Sequence, residues 1–150
     1  MSPYTLHREL EVSKPPGAVF DFFAKAENLE ALTPPWLHFR ILTPLPIEMK
    51  AGATIAYKLR VRGFPVSWLT EIVEWNPPFE FIDVQTEGPY KLWRHTHRFR
   101  EVPGGTRIED EVRYALPLGP LGTLAHRIQV AGDLAKIFNY RAEQIKILLG

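Results

Sequence analysis

His95 and His97 stand two residues apart in the segment WRHTHRF, and imidazole is the side chain best suited to gaining or losing a proton near neutral pH. On a β-strand, alternation turns Trp93, His95, His97 and Phe99 to one face and Arg94, Thr96 and Arg98 to the other. The imidazoles then share a face with two large apolar rings. Their Cα atoms would be roughly 6.5 to 7 Å apart, close enough to engage one ligand. Asp110 falls on the following strand, across the turn VPGG, opposite His97 or Phe99 according to which two residues form the tip. A carboxylate beside an imidazole fixes its tautomer and raises its affinity for a proton.

Such a group has three uses. Its members can satisfy one another inside the sheet, orient the polar end of a mostly apolar ligand, or perform general acid–base catalysis with His95 or His97 supported by Asp110. No serine nucleophile, lysine trap or flanking motif singles out the last. H-x-H on a strand offers two imidazoles to a metal, but a catalytic zinc takes about three protein ligands. His126 on the terminal helix and Asp83 on another strand are conceivable thirds that no spacing indicates, so neither a metal nor another cofactor is expected.

The elements that must position these residues follow from periodicity. TLHRELEV alternates Leu6, Leu10 and Val12 against His7, Glu9 and Glu11, with Arg8 as a polar intruder on the apolar face. Ser13 or Pro15 can open a helix carrying Val19, Phe20, Phe22 and Phe23, and a second short helix through Leu29 and Leu32 stops at Pro34 and Pro35. HFRILTPL, TIAYKLRVRG, FPVSWLTEIVEW, FEFIDVQT, YKLWRHTHRFREV and TRIEDEVRYAL are each β-rich and bounded by Gly, Pro or Asn. The links RGFP, WNPP, EGPY and VPGG are short, which favours an antiparallel meander. After Pro120, Leu124, Ile128, Ala131, Ala135, Phe138, Ala142, Ile145 and Leu149 recur at spacings of three and four, the stripe of one helix on the order of 40 Å long. The expected fold is α+β: a curved antiparallel sheet of about seven strands, in the order β-α-α-β6-α, wrapped on a long C-terminal helix.

That order resembles the helix-grip fold of the SRPBCC superfamily, which includes START, birch-pollen-allergen-like and polyketide cyclase/dehydrase-like proteins. The nearest likeness is to small bacterial ligand-binding SRPBCC domain proteins, and it is carried by TPPWLHFRI, FEFIDVQTEGPYKLWRHTHRF, DEVRYALPLGPLG and IFNYR. The resemblance implies the fold and a cavity for a lipid, isoprenoid or polyketide-like molecule. A cyclase or dehydratase activity is implied only by the breadth of the superfamily.

The strand faces give the candidate lining. Tyr57 shares a face with Leu59 and Val61, Trp68 with Thr70 and Ile72, and Tyr114 with Ile108, Asp110 and Val112. Tyr57, Trp68, Trp93, Phe99 and Tyr114 would form walls, with His95, His97 and Asp110 as the polar handle and Asp83 and Gln85 as additions. FEFIDVQT is apolar on both sides and its facing stays open. The small residues Ala131, Gly132 and Ala135 would leave space against the sheet, either as a cavity or as close helix–sheet approach.

The 150 residues suit one domain spanning 1–150. With no cysteine, thiol chemistry, disulfides and thiolate metal sites are excluded, which suits a reducing cytoplasm. Eighteen basic against 17 acidic residues leave a net charge of +1, so no global field recruits nucleic acid or membrane. The segment MSPYTLHRELEV has neither the basic start nor the apolar run of a signal peptide. The expected partner is a small hydrophobic molecule, bound by a cytoplasmic monomer or weak homodimer. The competing class is an interaction module that docks through Trp36 or through the outer rows Lys58, Arg60, Arg62 and Arg94, Arg98, Arg100.

Overall fold

The structure, a computed structural model, describes residues 3–150. Its strands are β1 (Tyr4–Val12), β2 (Arg40–Ile41), β3 (Thr54–Val61), β4 (Phe64–Asn76), β5 (Glu80–Glu87), β6 (Leu92–Val102) and β7 (Gly105–Ala115). They form one antiparallel sheet in the order β1-β7-β6-β5-β4-β3-β2. The five longer strands of the meander are consecutive neighbours, as short links require. β1 closes against β7 at the far edge, which is the only departure from sequence order. The pairing of β4 with β5 shifts register at Leu69/Thr70 and Ile72/Glu74, irregularities of the kind that bend a strand and increase its twist.

Helix α1 (Pro16–Phe23) begins with proline at its first position and buries Val19, Phe20 and Phe23. Helix α2 (Asn28–Leu32) and a 3₁₀ turn (Pro35–Leu37) lead to β2. One tight approach anchors α1: a Cβ on Gly105 would lie 1.8 Å from the Val12 carbonyl oxygen. Beside it the Thr106 hydroxyl donates to Lys14 O at 2.7 Å. Only glycine lets β7 start there.

The terminal helix departs from the single regular rod expected. It comprises α3 (Pro120–Ala125), a π turn (His126–Val130) and α4 (Ala131–Leu149). A π turn holds an extra residue, so the side-chain phase before it is displaced from the phase after it. The buried stripe after the turn is Leu134, Phe138, Arg141, Ile145 and Leu149, while Leu124 and Ile128, ahead of or within it, are exposed, as is Ala131 at the start of α4. Ala131 and Gly132 are exposed, and nothing lies within 4 Å of where a Gly132 Cβ would be.

Two apolar clusters fill the space between sheet and helices. At one end Phe20, Phe23, Phe81, Phe99, Ile145 and Leu149 pack together. At the other, Val112, Tyr114, Leu134 and Phe138 pack with Tyr90 and Trp93. Among the described residues no helix is long and apolar enough to cross a membrane.

Candidate functional site

The histidines of β6 lie between the two clusters, and the register explains their partners. His97 is opposite Asp110 on β7 and His95 is opposite Asp83 on β5, yet each carboxylate bonds the diagonal imidazole. His95 Nε2 lies 2.8 Å from Asp110 Oδ1, and His97 Nε2 lies 2.6 Å from Asp83 Oδ2. The two rings stack with centroids 3.7 Å apart and planes 24° from parallel. Phe81 covers the other face of His97 at 4.0 Å. The side chains are therefore fixed by packing as well as by hydrogen bonds.

Arg141 of α4 completes the group. Its Nε and Nη2 donate to the two oxygens of Asp110 at 3.0 and 3.1 Å, and Nη2 also lies 3.5 Å from His97 Nδ1. Guanidinium is donor-only, so Nδ1 accepts, Nε2 carries the proton, and Nε2–H donates to Asp83. His97 is thus a neutral imidazole with both nitrogens engaged. Burial pushes its pKa down to about 4, helped by His95 and outweighing the opposing pull of Asp83. Burial would raise Asp110, but Arg141 and the imidazoles prevail and hold it well below the usual carboxylate range. Burial would raise Asp83 too, but the His97 hydrogen bond, with the two imidazoles and Arg141, outweighs it and lowers the pKa.

A cavity of about 50 Å³ opens beside this group. Phe22, Phe23, Leu29, Leu32, Ile55 and Ile72 line its apolar part, and Tyr57, Thr70, Asp83, His97 and Arg141 its polar end. Burial, then the charge of Asp83, raises the Tyr57 pKa well above the ordinary phenol value, against a Thr70 hydrogen bond that lowers it. Tyr57 therefore stays a phenol. The hollow lies under α1 and α2 rather than beside the small residues of α4, of which Ala131 and Gly132 are exposed and Ala135 is half-buried.

Residues 12–136 match the family described as "Polyketide cyclase / dehydrase and lipid transport". The chain belongs to that family. A comparison with curated protein sequences gives no match. Among solved structures, a protein of Chromobacterium violaceum is similar at TM-score 0.76 and 15% identity, over 98% of each chain. A START superfamily protein from Mycobacterium smegmatis is similar at 0.70 and 11%, over 97% of this chain and 96% of that one. The ginseng (Panax ginseng) major latex-like protein 151 is similar at 0.68 and 11%, over 99% of both. At these identities the likeness concerns the fold alone, and it bears out the helix-grip architecture and the SRPBCC resemblance.

Within this polyketide cyclase/dehydrase and lipid transport domain, the residues singled out by strand face fall in three places. Tyr57, Asp83 and His97 line the cavity, with Asp83 and Phe81 settling the facing of β5 towards the helices. His95 and Asp110 stand behind His97 and hold the network together. Trp68, Trp93, Phe99, Tyr114 and Gln85 lie off the cavity. Phe99 is in the α1 cluster, and Trp93 and Tyr114 are in the other. Trp68 packs edge-on to Trp93 at 5.3 Å, and its Nε1 is buried without a hydrogen-bond partner among the described residues. Gln85 spends its amide on the β5–β6 turn, donating to Tyr90 O at 2.7 Å and accepting from Tyr90 N at 3.0 Å.

Arg141 and Thr70 are the functional-looking residues that strand reading passes over. The signal for Arg141 was its position: it sits between Phe138 and Ile145 at spacings of three and four, a cation in an apolar stripe. Asp83, His95 and His97 bring ligand atoms within 4.8 Å of one another. A ring lone pair lies in the ring plane, however, and two planes stacked 3.7 Å apart cannot both aim at an ion about 2.1 Å away without turning. The adjacent guanidinium adds repulsion. The geometry suits hydrogen bonding rather than metal ligation, and His126 is engaged elsewhere, with Nε2 2.7 Å from the Tyr114 hydroxyl.

The outer surface is less basic than its sequence suggests. Arg98 pairs with Glu109 at 2.6 Å and approaches Glu80 and Glu111, and Arg62 forks onto Asp133 at 2.9 and 3.1 Å. Trp36 rests edge-on against Tyr140 of α4, half-exposed.

Proposed function

We propose that residues 1–150 act as one domain that binds a small, largely hydrophobic molecule of lipid, isoprenoid or polyketide-like character. What supports this reading is the cavity itself: apolar on most sides, with a rigid set of Tyr57, Thr70, Asp83, His97 and Arg141 at one end. An apolar hollow with a few convergent polar groups is the usual form of a small-molecule site. His95 and Asp110 serve it from behind by fixing the rotamers of His97 and Arg141. The protein works as a cytoplasmic monomer or weak homodimer, without a nucleic-acid partner.

At about 50 Å³ the hollow holds only a few heavy atoms as it stands. A larger ligand enters by displacing α2 and the β2–β3 segment that carries Met49, both of which wall the cavity. Both His97 nitrogens are engaged, so that imidazole is not free to take a proton, and the geometry favours holding a ligand over moving its protons. Native mass spectrometry of protein purified from its own cells should reveal a co-purifying hydrophobic molecule. Leu29→Trp, which fills the cavity from a half-buried position, should abolish that adduct while leaving the fold intact. Undiminished binding in Leu29→Trp would place the ligand elsewhere.

A further inference from the structure

Asp83 is the most open member of the buried charge group: its side chain is 19% exposed, against 6% for Asp110 and 5% for His97. Its two oxygens are used unequally. Oδ2 is held by His97 at 2.6 Å, whereas among the described residues Oδ1 meets only the Thr70 hydroxyl, at 3.4 Å. That hydroxyl has a single proton and a nearer acceptor, the Val84 carbonyl at 3.0 Å. Oδ1 is therefore a charged acceptor with spare capacity on the cavity wall, and a buried acceptor of this kind is stabilised by a donor.

The neighbouring cation offsets that charge only in part and does not bond it. Arg141 commits Nε and Nη2 to both oxygens of Asp110, so two carboxylates face one guanidinium across the group. Tyr57 registers the resulting negative field, because Asp83 adds to burial in keeping its phenol protonated. The rest of the wall is apolar at Phe22, Leu32, Ile55 and Phe81, with Asn28 spending its amide on the Phe22 carbonyl at 2.8 Å and Lys25 exposed in the link between α1 and α2.

We infer that the cavity selects an apolar molecule ending in a hydrogen-bond donor, a hydroxyl or ammonium group seated on Asp83 Oδ1, over the same molecule ending in a carboxylate. This rests on the binding role proposed above and narrows its chemistry. A donor restores the missing hydrogen bond; a carboxylate would be desolvated beside a like charge.

A matched ring series tests it. Toluene, benzyl alcohol, benzylamine and phenylacetate are titrated at pH 7 into the full chain, and the amide ¹H–¹⁵N shifts of Ile72, Asp83 and Val84 are followed. Benzyl alcohol and benzylamine should bind more tightly than toluene and at least about tenfold more tightly than phenylacetate. In Asp83→Asn the benzylamine advantage should vanish and phenylacetate should gain. Phenylacetate binding as tightly as the donors overturns the inference while leaving the binding role standing, and so does toluene binding that no donor improves. If none of the four moves those amides, inference and binding role fall together. The wild-type series decides the matter even where Asp83→Asn does not fold.

Discussion

Asp110 accepts two hydrogen bonds from Arg141 and one from His95, and it is nearly excluded from solvent. Arg141→Met keeps the side-chain length but strands that carboxylate, so a loss of about 3–5 kcal/mol is expected in urea unfolding. Arg141→Lys should recover only part, because an ammonium cannot fork across both oxygens. A Met variant as stable as wild type would mean that the ion pair contributes nothing net. The acid response has a definite sign. His97 titrates near 4 when folded, against about 6.5 when unfolded, so between those values the unfolded chain binds more protons and stability falls as pH falls. The drop is on the order of 3 kcal/mol across that window. Asp83 and Asp110, lowered in the fold, extend the loss below pH 4. His97→Gln, whose amide still donates to Asp83, should flatten the curve between pH 6.5 and 4; an unchanged slope would show that another group titrates there. At this scale alternation sufficed to bring His95, His97 and Asp110 to one face. It could not pair them, because the bonds run diagonally and the fifth member comes from a helix.

Tyr114 and His126 tie the π turn to the sheet, with Tyr4 stacked on the imidazole at 3.5 Å. Tyr114→Phe should cost about 1 kcal/mol and speed amide exchange through α3 and the π turn, while α4 keeps its protection. Equal slowing or quickening along the entire terminal helix would indicate one cooperative unit instead. The amphipathic pattern was enough to expect a helix after Pro120. It was not enough to show the extra residue in the turn, because a π turn is stabilised by tertiary partners such as Tyr114 and leaves no period of its own. The displaced turn accounts for the outward-facing Leu124 and Ile128, whereas Ala131 and Gly132 lie beyond it and are exposed at the start of α4. By contrast, the meander was legible because RGFP, WNPP, EGPY and VPGG are too short for anything but antiparallel neighbours.

Across the whole molecule, two aromatic clusters stabilise the fold and the charge group lies between them, so stability and binding should separate. Phe99→Ala, deep in the α1 cluster, is expected to cost about 3–5 kcal/mol yet leave the affinity of the cavity for a hydrophobic probe within about threefold. A collapse of affinity in a still-folded Phe99→Ala protein would tie the cavity to that cluster. Strand β2 pairs with Tyr57 and Lys58, so among the described residues the backbone of β3 from Leu59 to Val61 has no partner strand on its outer side. An uncovered rim is a template on which a second chain can zip. Arg60 stands there in solvent as a charged guard, while Arg62, just past the strand, is tied to Asp133, and Arg60→Thr should turn a well-behaved solution into one that forms ordered fibrils over days.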